Sequence, residues 1–145
     1  MGGRAGIPGS AYQNHKYRPV TSGAWQSFHG NQDREYAVLA LATSLGGAET
    51  ARLSASFGGA QIMGFNHAAC GYDTASEMFD AFAADPKWQV LGFFDFCRTN
   101  GLIHDIRDRE WVHFGNAYNG DGATYGPHLQ QAYDLKSQFD ALPRA

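Results

Sequence analysis

Cysteine is scarce in this 145-residue chain. There are two, Cys70 and Cys97, far apart and in no CxxC pair. That excludes a disulfide scaffold and a CxxC zinc or redox motif. Both read as small buried hydrophobes, with pairing left to the folded geometry. Positive charge is equally thin. Eleven Lys and Arg are scattered among fourteen Asp and Glu, for a formal net charge of −3. Such a chain has no basic field to hold a phosphate backbone, so nucleic acid is not an expected partner. Long apolar runs are missing as well: residues 37–42 and 90–94 are the longest, against the roughly 20 needed to span a bilayer. Residues 1–17 lack an apolar h-region, so no cleaved signal peptide is expected. The glycine spacings that cradle phosphate and the GxSxG elbow do not occur either.

What remains is a folding composition, with 43% hydrophobic, 14% aromatic and 17% charged residues, enough for one buried core. Residues 1–24 are broken by Gly and Pro and read as an irregular N-terminal arm, ahead of a domain over 25–145. In residues 33–45, Val38, Leu41, Ala42 and Leu45 recur at helical spacing before Gly46-Gly47. Thr74-Ala75-Ser76-Glu77 reads as a capping box, and Pro86 sits where a helix begins. The helix predicted over 87–99 is apolar nearly all round and so is expected to be buried. Shorter helices are predicted over 102–106 and 109–117. After a turn-rich segment, 119–127, a last helix is predicted over 128–142. No alternating pattern supports a sheet. The expected fold is all-α, or α with a minimal β element.

Chemistry-bearing residues are few. The glutamates are Glu35, Glu49, Glu77 and Glu110. Glu77 is absorbed by the capping box, and Glu110 suits the first turn of a helix, where the macrodipole favours an acid. Glu35 lies early in the first helix, and Glu49 stands just before a Ser/Gly-rich loop. Six histidines invite a metal, but neither His67-Ala68-Ala69-Cys70 nor His104-Asp105 shows three or four converging ligands, so no metal site is expected. No cofactor is expected. Two stretches stand out for small residues, amides and aromatics: 54–67 and Trp111…Tyr118-Asn119-Gly120-Asp121-Gly122. Such surfaces suit a carbohydrate, whose rings stack on aromatics and whose hydroxyls need amide partners. A packed core corner, with Asn and Gln capping turns, explains the same composition.

The stretch Ser54-Ala55-Ser56-Phe57-Gly58-Gly59-Ala60-Gln61-Ile62-Met63-Gly64-Phe65-Asn66-His67 resembles a motif of the phage- and bacterial-type N-acetylmuramidase domain. That family, of the lysozyme-like superfamily, reads Ser-Trp-Gly-x-x-Gln-Ile-Met-Gly-x-Asn. Ala68 to Tyr72, Phe93…Phe96, Asn100-Gly101-Leu102 and Arg109-Glu110-Trp111…Phe114…Tyr118-Asn119-Gly120 continue the similarity, which runs from about Trp25 to Leu142. The resemblance implies a lysozyme-like helical domain directed at peptidoglycan glycan strands. Ser56, Gln61, Asn66, Tyr118 and Asn119 would bind the substrate. In the family the acid glutamate lies in an upstream Glu-x-Glu-Ser-like segment. That segment is expected to precede these residues, and no Glu-Ser pair occurs among them. Cleaving the β-1,4 link between N-acetylmuramic acid and N-acetylglucosamine needs a carboxylic acid to protonate the leaving oxygen. Three readings follow: a muramidase using Glu49 or Glu35 as its acid, a non-catalytic wall-binding or structural module of a phage tail or delivery apparatus, and a muramidase whose acid comes from a partner chain or particle. The implied location is a cytoplasmic pool or a particle, acting at the bacterial cell wall.

Overall fold

The computed structural model describes residues 12–13, 16–18, 20–27 and 31–136, and the chain divides into two compact units. The first comprises Met1–Ala68 and Tyr72–Gln89, the second Ala69–Gly71 and Val90–Ala145.

In the first unit, strands β1 (Tyr12–Gln13), β2 (Lys16–Tyr17) and β3 (Gln26–Ser27) form an antiparallel ladder in that order. Tyr12 pairs with Tyr17, and Lys16 with Ser27. Two of these strands lie within the segment read as an irregular arm, and the third lies beyond its end. Helix α1 (Gln32–Gly46) covers the predicted 33–45 and starts because the Asn31 side chain accepts from the Arg34 amide at 3.2 Å. Gly47, at φ 82°, ends α1 and opens α2 (Ala48–Leu53). A two-stranded hairpin follows, β4 (Ser56–Phe57) against β5 (Ile62–Met63), with Ser56 opposite Met63 and Phe57 opposite Ile62. A 3-10 helix, Gly64–Cys70, leads on to α3 (Ala75–Ala84). The capping box is as predicted at its core: Thr74 Oγ1 accepts from the Glu77 amide at 3.0 Å. The Glu77 carboxylate reaches one residue further back and accepts from the Asp73 amide at 3.1 Å. Ala51, Phe57, Ile62, Ala75, Met78 and Phe82 are buried, and the Phe57 ring meets Phe79 edge-on at 5.0 Å.

Helix α4 (Pro86–Thr99) begins at the predicted proline and carries the chain into the second unit. It is not the buried helix its composition suggests. Its buried residues are Gly92 and Cys97, while Val90 and Leu91 are more than half exposed. All-round apolarity predicts burial only when neighbours cover every side, and these neighbours contact a narrow stripe. The second unit continues with α5 (Ile103–Asp108), α6 (Trp111–Asn119) and α7 (Gly122–Asp134). Cys97, Leu102 and Phe114 form its buried centre, with Phe93, Phe96, Ile106, Tyr118 and Leu129 packed around them. Helix α6 starts two residues later than predicted, because Arg109 takes a left-handed conformation at φ 64° that closes α5. Glu110 is accordingly the N-cap residue of α6, outside its first turn. Helix α7 starts six residues early. Asp121 accepts from the Thr124 amide at 3.1 Å and nucleates a helix that tolerates Pro127 in its interior. Phe139 and Leu142 of the predicted last helix lie outside the described residues. No helix among the described residues is long and apolar enough to cross a membrane.

Candidate functional site

The hairpin β4–β5 is built for rigidity. Gly64 follows β5 directly, and a Cβ there would collide with the Arg52 carbonyl oxygen of α2. Only glycine lets β5 pass that close. The Gly64 amide donates to the Ala55 carbonyl at 2.7 Å, which closes the base of the hairpin. At its tip, the Gly59 amide donates to Gln89 Oε1 at 3.0 Å, and Gln89 Nε2 donates to the Phe82 carbonyl at 2.8 Å. One glutamine thus ties the loop to the end of α3.

On this frame the structure brings together two residues expected to bind substrate. Ser56 Oγ donates to Gln61 Oε1 at 2.8 Å, and Gln61 Nε2 donates to the Gly58 carbonyl at 2.9 Å. Gln61 is exposed and has a left-handed backbone, φ 53°. A β-carbon-bearing residue held there stores strain of about 1 kcal/mol. Its amide is fixed at both ends yet keeps one N–H and one oxygen lone pair for a further partner. Asn66 follows on the 3-10 helix, half-buried.

Glu49 and Glu35 are placed differently. Glu35 is exposed in the first turn of α1. The Glu49 carboxylate sits on the start of α3, where Oε1 accepts from the Ala75 amide at 2.8 Å and Oε2 from the Ser76 amide at 3.0 Å. The Ser76 side chain, outweighing desolvation and joined by these two amides and the nearby His67, holds the carboxyl below its ordinary range. A general acid needs the opposite shift. His67 is also structurally engaged: its Nδ1–H donates to the Tyr72 carbonyl at 2.9 Å.

Tyr118 and Asn119 belong to the second unit, at the end of α6. Tyr118 stacks on Phe114 at 5.3 Å and meets Phe96 at 5.5 Å and Phe93 at 5.8 Å, so its ring is a core member. Burial, with a smaller contribution from Cys97 and Cys70, pushes its hydroxyl up to about 12. Asn119 is exposed beside left-handed Gly120. Cys70 and Cys97 are both free and buried, and desolvation pushes each thiol up to about 11.

Sequence reasoning missed one constellation, in the second unit. His104, Asp105 and His113 come together, with ligand atoms all within 4.8 Å of one another. The 104–105 pair was visible, but the third member is placed by the sharp α5–α6 turn at Arg109, which no spacing rule anticipates.

The sequence matches the N-acetylmuramidase family over residues 5–137. The chain belongs to that family. The muramidase match takes in residues ahead of Trp25 as well as the motif at 54–67. Among solved structures, the crystal structure of a Burkholderia AP3 phage endolysin is similar, with a TM-score of 0.65 and 30% identity. The similarity covers 83% of this chain and 47% of that one, so the muramidase chain spans about half the length of this relative. Among curated proteins, none matches the sequence. The predominantly helical fold expected from the residue pattern, and the lysozyme-like domain implied by the resemblance, agree with the fold observed.

Proposed function

We propose that this muramidase chain acts on the bacterial cell wall, holding the β-1,4 glycan strand of peptidoglycan for cleavage. The observation that carries the reading is the Ser56–Gln61–Gly58 arrangement. An exposed amide pinned at both ends offers a sugar hydroxyl or N-acetyl group one donor and one acceptor, with little entropy left to lose on binding. Asn66, and separately Asn119 of the second unit, are further candidates for sugar contact. The proton for the leaving oxygen comes, on this reading, from neither Glu49 nor Glu35. Glu49 orders α3, and an ionised, hydrogen-bonded carboxylate is a poor donor. The acid on this reading is a carboxyl of the kind the family carries in its Glu-x-Glu-Ser-like segment. The engagement of Glu49 also favours a second reading, a module that holds wall glycan without cutting it.

Sedimentation with insoluble peptidoglycan and clearing of a peptidoglycan suspension test both. The chain is expected to co-sediment, and Gln61→Ala to weaken retention about tenfold or more, as expected for loss of a preorganised polar contact. Clearing that persists in Glu49→Gln supports a different acid. Retention without clearing supports the binding module, and no retention overturns both.

A further inference from the structure

We propose that His104, Asp105 and His113 bind a single divalent first-row transition ion of the zinc class, clasping α5 to α6. Asp105 is the only buried charged or polar side chain among the described residues, at 1% exposure. Taking a carboxylate out of water is costly unless its oxygens are matched. Here both are: His104 Nε2 lies 2.8 Å from Oδ1, and His113 Nδ1 lies 2.8 Å from Oδ2.

Two imidazoles and a carboxylate form a donor set that suits zinc, nickel, cobalt or copper and disfavours magnesium and calcium. In a tetrahedral site an ion about 2.0–2.2 Å from each ligand sets the ligand atoms about 3.4 Å apart. These atoms, which lie within 4.8 Å of one another, therefore draw together by up to about 1.4 Å at the widest pair. The two imidazoles can make that adjustment because their side chains are 57% and 65% exposed, whereas Asp105 is fixed. Each imidazole nitrogen now facing the carboxylate must give up its hydrogen to coordinate. A neutral ring moves that proton to its other nitrogen, so no net proton has to leave the protein. Solvent completes the tetrahedron. The site lies wholly within the second unit and uses none of the residues assigned to glycan.

Titration calorimetry of the full chain with zinc sulfate alone tests this, with magnesium sulfate as the control. One equivalent of zinc is expected to bind in the micromolar range or tighter, and magnesium to give no heat. Asp105→Asn is a poor test because it threatens the fold. His104→Gln and His113→Gln are better, since glutamine still donates to the carboxylate but is a weak zinc ligand. Each is expected to lower zinc affinity about tenfold or more while leaving the circular dichroism spectrum unchanged. Cobalt added in place of zinc should develop visible absorption that both variants lose. Absence of zinc binding, or equal affinity in both variants and the parent, overturns the proposal and leaves a hydrogen-bonded Asp–His pair.

Discussion

Glu49 shows how much one carboxylate can be committed to structure. Because its folded pKa lies below the ordinary value, it stabilises the fold fully above the unfolded pKa, near 4.5, and that contribution disappears as pH falls through the folded value. Urea midpoints of Glu49→Gln and the parent should therefore differ at pH 7 and converge as the pH falls below the ordinary carboxylate range. A constant gap would mean that the carboxylate's charge contributes nothing. Glu49 was conspicuous in the sequence for its place before a glycine-rich loop, but its partners, the amides of Ala75 and Ser76, lie 26 and 27 residues on. Local patterning cannot see such a pairing. Gln61 stands out in the sequence because its motif is long and specific. The bonds that immobilise it run only to Ser56 and Gly58, within the same motif.

Among the elements, α6 and α7 pack closest. Cβ atoms added at Gly122 and Gly126 would strike the Val112 carbonyl oxygen and the Val112 side chain of α6, respectively. Gly122→Ala should destabilise the chain by about 1–3 kcal/mol, the ordinary cost of overpacking, read as a lower thermal midpoint. An unchanged midpoint would show that the helices part easily. These glycines also explain why the start of α7 escaped prediction. Asn119-Gly120-Asp121-Gly122 and Pro127 carry strong turn chemistry, yet the Asp121 cap and the close approach to Val112 override it. The cap made by the Thr74 side chain on its own helix was readable from sequence, as was the proline at the start of α4. The left-handed turn at Arg109 was not, because arginine seldom adopts that conformation.

At the scale of the whole molecule, the two thiols report on the integrity of the second unit. With each pushed up to about 11, about one in a thousand is ionised at pH 8. A thiol reagent should react slowly with the native chain and rapidly once urea unfolds it, at a rate that tracks unfolding. Immediate modification of both in native buffer would show that the centre around Cys97, Leu102 and Phe114 opens freely.

The left-handed backbone of Gln61 puts endurance and grip in conflict at one codon. Glycine and asparagine relax that torsion at little steric cost, but neither reaches as far as glutamine's amide. A library randomised there and sorted for survival of heating should enrich those two residues. Resorting the survivors on cell-wall particles should return glutamine, and a single winner in both sorts would show that the strain has no cost.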